Sequence, residues 1–235
     1  MSDLSLQAQT LEALAHAHNY NGWIAGLALP YLGEHPLEVG SGRGDFAAIW
    51  LDLGVQELTV SEVDATDVSQ LRGRFGGDVR VHVERLDITE PPSLPSQFSS
   101  VVFVNVLEHL KDDVGAVNSA RHFVRRGGSV VAFVPAHPLA MSVYDHDIGH
   151  WRRYTKSGLS SVFRDAGVEV EVIRHVNAAG LLAWIMVMKL MRRTPTTAPL
   201  LRMYDQTVVR LTRRVETYVT PPFGQSLFAV GRAAE

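Results

Sequence analysis

Two short runs of mostly β-branched and aromatic residues constrain the fold of this chain most. Residues 100–106 read SVVFVNV, and residues 128–134 read GSVVAFV. These runs lack the alternation of a half-exposed strand, so we expect helices to cover both faces of these strands. Further strands are expected at 37–39, 57–63, 78–83, 168–176 and 226–230. Helices are expected at 45–53, 67–75 and 156–166, with another that ends near Arg126 before Gly127 and Gly128. This alternation predicts a doubly wound, mainly parallel α/β sheet.

Composition narrows the class of protein. Of the 235 residues, 46% are hydrophobic, which is enough for a large core. The net charge of −3 means that the chain has no excess of basic residues for binding nucleic acid. The chain has no cysteine, which excludes disulfides, thiolate metal sites and thiol nucleophiles. We expect a cytoplasmic protein without a signal peptide. The most apolar stretch, 178–191, is shorter than the roughly 20 residues that cross a membrane.

The loop after the first strand is rich in glycine. Residues 38–45 read EVGSGRGD, and glycines at 40, 42 and 44 let backbone N–H groups approach a ligand at a helix N-terminus. Dinucleotide-binding loops have the spacing GxGxxG, whereas this loop has GxGxG. Glu38 also suits an ammonium group better than a pyrophosphate. Both features disfavour a nicotinamide oxidoreductase.

Acidic residues follow the next two strands. Glu62 ends the second strand, where a carboxylate can accept two hydrogen bonds from ribose hydroxyls. Asp64 is a second candidate there, although it fits a helix cap better. Asp87 and Ile88 follow the third strand and suit an exocyclic amine and an adenine face; a plain loop acid is the alternative.

The fourth predicted strand ends in NVLEHL, residues 105–110. Together with EVGSGRG, Glu62 and Asp87, in this order and at these separations, it resembles the class I S-adenosylmethionine-dependent methyltransferases of the bacterial small-molecule type. The resemblance runs from about Asn21 to the end of the chain. It implies a seven-stranded Rossmann-like sheet of order 3-2-1-4-5-7-6 with the last strand antiparallel. It also implies S-adenosylmethionine as cofactor and S-adenosylhomocysteine as product.

The resemblance further implies a role for each loop. The glycine loop surrounds the methionine end of the cofactor, the end of the second strand holds the ribose, and the third loop contacts the adenine. The backbone after the fourth strand borders the sulfonium, and an N-terminal aromatic pair either covers the cofactor or packs on the sheet. The predicted cofactor-binding residues are Tyr20, Trp23, Glu38, Gly40, Ser41, Gly42, Gly44, Glu62, Val63, Asp87, Ile88, Asn105, Val106 and His109.

Candidate catalytic residues lie in the loops after the fourth and fifth strands. His109 is a candidate base if the acceptor must lose a proton, or a residue that packs locally at a helix start. Residues 144–155 read YDHDIGHWRRYT, in which Asp145 and His150 can form a carboxylate–imidazole pair. Tyr144 and Trp151 can line a substrate wall.

The same loop also has a purely structural interpretation, in which Arg152 and Arg153 pair with Asp145 or Asp147. No metal is expected. The four candidate ligands lack the compact spacing of a metal site: His137, Asp145, Asp147 and His150.

The chain is expected to form one domain. It divides into an N-terminal helical lid (1–35), a cofactor-binding core (36–176), a helical substrate cap inserted between strands six and seven (177–222) and a final strand (223–235). If strand six is parallel to the others, the cap begins on the cofactor side. The cap contains an apolar run with Trp184, Met186, Met188 and Met191, then an amphipathic helix at 200–218. Basic residues from Lys189 to Arg214 allow weak membrane-surface contact or form a solvated helix face.

The leading hypothesis is a methyltransferase for a mid-sized, largely apolar small molecule, as in natural-product or antibiotic biosynthesis. The methyl group would pass directly from sulfonium to acceptor. A nucleic-acid (RNA) methyltransferase and a non-catalytic cofactor-binding subunit that docks through the apolar segment are the alternatives. The acceptor atom and the oligomeric state stay open.

Overall fold

A seven-stranded sheet forms the centre of the protein. The computed structural model describes residues 17–90, 97–186 and 202–233. The strand order is 3-2-1-4-5-7-6, which confirms the predicted order. β7 is antiparallel to both β5 and β6, so β6 is parallel to the remaining strands. The strands are β1 (Pro36–Val39), β2 (Leu58–Glu62), β3 (Val81–Arg85), β4 (Phe98–Val104), β5 (Val124–Pro135), β6 (Val168–Val176) and β7 (Ser226–Ala233).

Helices cover both faces of the sheet, as the continuous apolar strands predict. One hydrophobic cluster contains Phe123 and Phe163, and the other contains Ile24 and Trp50, all fully buried. Successive strand residues alternate between the two clusters, because neighbouring side chains of a strand point to opposite faces. The helices are α1 (His18–Leu32), α2 (Asp45–Asp52), α3 (Ala65–Phe75), α4 (Asp113–Phe123), α5 (Val143–Asp147), α6 (Lys156–Asp165), α7 (Ala178–Trp184) and α8 (Arg210–Glu216).

The predicted boundary between α4 and β5 is wrong. The helix ends at Phe123, and β5 begins at Val124, so the glycine pair lies inside the strand. Gly127 has φ +76°, and the pairing of β4 with β5 changes register between Phe98 and Ser100. A glycine in a strand interior often marks such an irregularity. From the sequence alone, the same glycine pair predicts the end of a helix.

The start of β3 also differs from the prediction. The strand begins at Val81 rather than at 78. The carboxylate of Asp78 accepts hydrogen bonds from the backbone N–H and the guanidinium of Arg80, at 2.7–3.0 Å. This local side-chain bonding holds residues 78–80 in a turn and delays the strand.

The segment after β6 packs against the N-terminal end of α1. It begins with α7; a π-helical turn at Asp205–Val209 then leads into α8. The buried Asp205 carboxylate accepts hydrogen bonds from the backbone N–H groups of Asn19 (3.0 Å) and Tyr20 (2.9 Å). It therefore caps the N-terminus of α1 from 186 positions away. Predicted cap residues Met188, Lys189 and Met191, and residues 1–16 of the predicted lid, lie outside the described residues.

A second buried carboxylate fixes the start of α7. Glu216 accepts hydrogen bonds from the backbone N–H groups of Asn177 (3.0 Å) and Ala178 (2.8 Å). The last turn of α8 is thus tied to the first turn of α7, which makes the described part of the cap one unit. Among the described helices, none combines the length and apolarity needed to cross a membrane.

Candidate active site

The glycine loop lies against the end of β4. Gly40, Gly42 and Gly44 all have φ values between +54° and +77°, a left-handed region that favours glycine. A side chain at Gly40 would come within 2.8 Å of a methyl group of Val106. Because residue 40 is glycine, the backbone of the loop approaches the end of β4 more closely than a residue with a side chain would allow.

A buried carboxylate without a partner lies just before this loop. Glu38 is 2% exposed, and its Oε2 atom has no hydrogen-bond partner among the described residues. Burial raises the pKa of Glu38 to about 8. Ser41 donates its hydroxyl to the backbone carbonyl of Glu38 at 3.3 Å, and its predicted contact with the cofactor stays a prediction. An orphaned buried carboxylate is costly unless a ligand supplies a donor, and an ammonium group is the natural donor.

Glu62 is held by the glycine loop. Its Oε1 atom accepts a hydrogen bond from the Gly42 N–H at 2.6 Å, and its Oε2 accepts one from the Val63 N–H at 3.2 Å. Burial raises the pKa of Glu62, and these two backbone hydrogen bonds oppose the rise. The side chain of Val63 is itself 51% exposed at this edge. The two backbone hydrogen bonds therefore fix the orientation of the Glu62 carboxylate beside the glycine loop.

The two predicted adenine contacts in the loop after β3 are engaged within the chain itself. The Oδ1 atom of Asp87 accepts hydrogen bonds from the N–H (2.9 Å) and hydroxyl (2.6 Å) of Thr89, a local turn. Ile88 is 4% exposed and belongs to a hydrophobic cluster with Leu86. The structure thus places both predicted adenine contacts in local or core interactions. Their role toward a ligand stays a prediction.

The chain leaves β4 through an unusual backbone conformation. Asn105 has φ +54°, and its N–H donates to the Phe133 carbonyl of β5 at 2.8 Å. Non-glycine residues with positive φ are uncommon and concentrate at functional sites. A short 3₁₀ turn, Leu107–His109, follows directly.

This turn carries a buried acid and an imidazole. Glu108 is fully buried, and neither of its carboxylate oxygens has a hydrogen-bond partner among the described residues. Burial raises the pKa of Glu108 to about 8. The ring of His109 lies edge-to-face on that of His150, with centroids 4.6 Å apart. Burial, together with His150, lowers the pKa of His109 to about 4.

The loop after β5 brings His150 to this turn. The Nδ1 atom of His150 lies 3.1 Å from Oδ1 of Asp145, so the predicted carboxylate–imidazole contact exists. Arg153 donates two hydrogen bonds to the same Asp145 oxygen, at 3.0 and 2.7 Å. Arg152 instead pairs with Asp113 at 3.0 Å. The pairing of Arg153 with Asp145 fits the structural interpretation of this loop, whereas Arg152 pairs outside it. The catalytic role of Asp145 and His150 stays a prediction.

Of the four residues that the sequence analysis weighed as metal ligands and set aside, Asp145 and His150 are in contact, whereas Asp147 and His137 have other surroundings. Asp147 is exposed, and the His137 ring stacks on that of His175 with centroids 5.0 Å apart. Glu108, which the sequence analysis did not single out, occupies the place beside His150 instead, with Oε1 3.9 Å from Nε2. An adjacent Glu–His pair after a strand, with a second histidine in the next loop, is the signal that could have indicated it.

The aromatic residues that the sequence analysis named lie in different surroundings. The Tyr20 hydroxyl hydrogen-bonds with Ser226 where β5 and β7 meet, and burial raises the pKa of Tyr20. Trp23 is 4% exposed and lies in a core cluster, which fits packing on the sheet. The Tyr144 ring meets that of Trp184 of α7, with centroids 5.9 Å apart. Trp151 is 55% exposed beneath Lys111, on the outer surface.

Comparisons with known proteins point to one class. A methyltransferase-domain family profile matches residues 37–130. A ubiquinone biosynthesis O-methyltransferase of Paracidovorax citrulli (strain AAC00-1) is 30% identical over 114 residues. That match spans 46% of this chain and 46% of the relative, so it covers about half of either protein.

Solved structures share the fold at low identity. The complex of the Haloferax volcanii Trm112 methyltransferase activator with a putative methyltransferase aligns with a TM-score of 0.66 and 17% identity over 98% of both chains. The geranyl diphosphate C-methyltransferase of Streptomyces coelicolor A3(2) aligns with a TM-score of 0.62 and 10% identity, over 89% of this chain and 76% of that one. The latter was solved with Mg²⁺, geranyl diphosphate and S-adenosylhomocysteine.

The cofactor of this class fits the residues present. S-adenosylmethionine carries an ammonium group, which suits the orphaned Glu38 oxygen, and ribose hydroxyls, which suit the oriented Glu62. The glycine loop offers the close backbone approach that such a ligand needs. Residues 37–130 therefore resemble a methyltransferase domain, and the seven-stranded sheet that contains them has the fold of the solved methyltransferases.

Proposed function

We propose that the chain transfers a methyl group from S-adenosylmethionine to a mid-sized, largely apolar small molecule. The observation that carries the proposal is the buried Glu38 carboxylate beside the glycine loop, whose Oε2 atom has no hydrogen-bond partner among the described residues. Glu38 and the loop would hold the methionine end, and Glu62 the ribose. The remaining predicted contacts, at Asp87 and at Asn105, keep the roles that the resemblance implies.

The bound cofactor supplies an electrophilic methyl group on a sulfonium whose leaving group departs uncharged. The chain's own residues then mainly position the acceptor and exclude water. The 3₁₀ turn with His109 follows directly on Asn105 and Val106, which border the proposed sulfonium position. Together with His150, it would face the reacting atom of the acceptor.

An apolar depression that is open to solvent, with Leu139 87% exposed and Ile185 41% exposed, supports the proposed acceptor class. Its volume is about 330 Å³, within the roughly 300–1,000 Å³ of small-molecule pockets. It lies between the loop after β5 and α7, which are joined by a hydrogen bond from Trp184 Nε1 to the Ala140 carbonyl at 3.1 Å. The lining residues are His137, Leu139, Ala140, Leu181 and Ile185. Apolar walls of this kind suit a largely apolar ligand.

Cofactor binding is the first test. Titration calorimetry with S-adenosylhomocysteine should show one site per chain. Glu62→Gln should weaken binding about 10- to 100-fold, because a hydrogen bond to a charged group contributes about 1.5–3 kcal/mol. The control is Glu84→Gln on exposed β3, which should bind as the wild type does. No binding of either S-adenosyl compound at millimolar concentration would refute the proposal.

Acceptor class is tested by turnover. With labelled S-adenosylmethionine and a panel of small acceptors, label should move to apolar molecules. Leu181→Asp, which places a charge in the apolar depression, should reduce that transfer at least tenfold while S-adenosylhomocysteine affinity stays unchanged. Salt-sensitive transfer to RNA, or transfer only after a partner protein is added, would instead favour the two alternative functions. The Haloferax volcanii relative, solved with an activator protein, motivates the second outcome.

A further inference from the structure

Glu108, His109 and His150 form a compact cluster of potential metal ligands. One ligand atom from each, a carboxylate oxygen and two imidazole nitrogens, lies within 4.8 Å of the other two. Three ligand atoms bonded at about 2.0–2.2 Å to one tetrahedral cation lie about 3.3–3.6 Å from one another. The three side chains would therefore have to close together by as much as about 1.5 Å to share an ion. The three residues come from two loops that meet at the carboxyl edge of the sheet.

The carboxylate points into this cluster without a partner. Glu108 is 0% exposed, and both of its oxygens lack hydrogen-bond partners within the part of the chain that the structure describes. Leaving a buried acceptor unsatisfied is costly, and the cost is greater for a charged group. A cation between the three groups would satisfy it.

The surroundings of both imidazoles leave one nitrogen of each for a ligand. His150 Nδ1 is held at 3.1 Å by Asp145, itself fixed by Arg153 and by the N–H and hydroxyl of Ser142. The His109 ring forms its hydrogen bond with the backbone of Gly149. Metal-binding histidines almost always donate their other ring N–H to a carboxylate or a backbone carbonyl, which fixes the tautomer. Both arrangements occur here.

We propose that Glu108, His109 and His150 bind a divalent first-row transition cation, of the class of Zn²⁺, Mn²⁺ and Co²⁺. Imidazole ligands suit these ions, whereas Mg²⁺ and Ca²⁺ prefer all-oxygen sites. Three protein ligands leave at least one coordination position open. If the proposed function holds, that position binds an oxygen of the methyl acceptor, which would make the acceptor class hydroxyl-bearing. Metal binding itself does not depend on the proposed function.

The experiment uses the full chain after dialysis against a chelator, titrated with CoCl₂ and followed by visible ligand-field absorption and calorimetry. We expect one saturable site per chain. His150→Ala and Glu108→Gln should each weaken binding by at least about 100-fold, since even changes around metal ligands cost 10- to 100-fold. The matched control is His146→Ala, an exposed histidine of the same loop, which should bind as the wild type does.

Three outcomes would overturn the proposal. They are no saturable cobalt binding by the wild type, unchanged binding by folded His150→Ala, and displacement of cobalt by an equal concentration of Mg²⁺. If His150→Ala or Glu108→Gln fails to fold by circular dichroism, His109→Ala at a half-buried position gives the same test. S-adenosylhomocysteine binding measured on the metal-free protein separates the two proposals, because it should persist whether or not the cation site exists.

Discussion

Asp145→Ala should lower the free energy of unfolding by about 3–5 kcal/mol, the cost of leaving a buried charge without its partner. Asp145 is 0% exposed, and Arg153, which donates two hydrogen bonds to it, is 6% exposed. Burial acts to raise the pKa of Asp145, but hydrogen bonds from His150 and Arg153 outweigh it and hold that pKa well below its usual range. The alanine variant would leave the Arg153 guanidinium buried and uncompensated.

Urea denaturation of three variants checks this result. Asp147→Ala lies two residues further along α5, at an exposed position, and should change the stability by less than about 0.5 kcal/mol. Asp145→Asn should fall between the two, because the amide keeps an oxygen for Arg153 but loses the charge. If Asp145→Ala were as stable as Asp147→Ala, the ion pair would not stabilise the loop after β5.

Gly44→Ala should cost about 2–5 kcal/mol of stability, from two additive causes. Gly44 has φ +77°, where an L-residue costs roughly 1–2 kcal/mol. A Cβ atom there would also lie 2.9 Å from the Cζ atom of Phe75 and 3.1 Å from a Leu71 methyl group, which adds about 1–3 kcal/mol of overpacking. Thermal or urea unfolding measures the loss.

Gly54→Ala separates the two causes. Gly54 also has a positive φ, +99°, but a Cβ atom there would meet nothing within 4 Å. This variant should therefore lose only the roughly 1–2 kcal/mol of backbone strain. Combining Gly44→Ala with Phe75→Leu should recover part of the loss, because the ring atoms that crowd the new Cβ are gone. Equal losses in the two glycine variants would show that Phe75 yields freely.

The sheet could be predicted because its signals are local and repeated. The apolar runs mark the buried strands, and Glu38 and Glu62 lie near the carboxyl ends of the neighbouring parallel strands β1 and β2, where Glu38 pairs with Val60. The boundary of β5 could not be predicted, because a glycine pair stops a helix and permits a strand irregularity equally well. Only the pairing of Val124 with Phe98 decides between them.

Several residues of the candidate site could be identified from the sequence, but the contacts among them could not. His109, Asp145 and His150 were identified from their loops, and the structure brings all three together. The burial of Glu108 was not foreseeable, because the start of a short turn after a strand is as often exposed as buried. Burial there follows from the loop after β5, where the Trp151 N–H donates to the Glu108 carbonyl at 2.8 Å.

The capping of α1 by Asp205 has a consequence for the order of assembly during synthesis. The helix with Tyr20 leaves the ribosome early, but its capping carboxylate is made 186 residues later. At about 5–20 residues per second, that delay is roughly 10–40 s. Throughout that time the first turn of α1 lacks the acceptor that Asp205 supplies in the folded chain. The position of Tyr20 is therefore fixed by this cap only after the strands β1 to β6 have been synthesised.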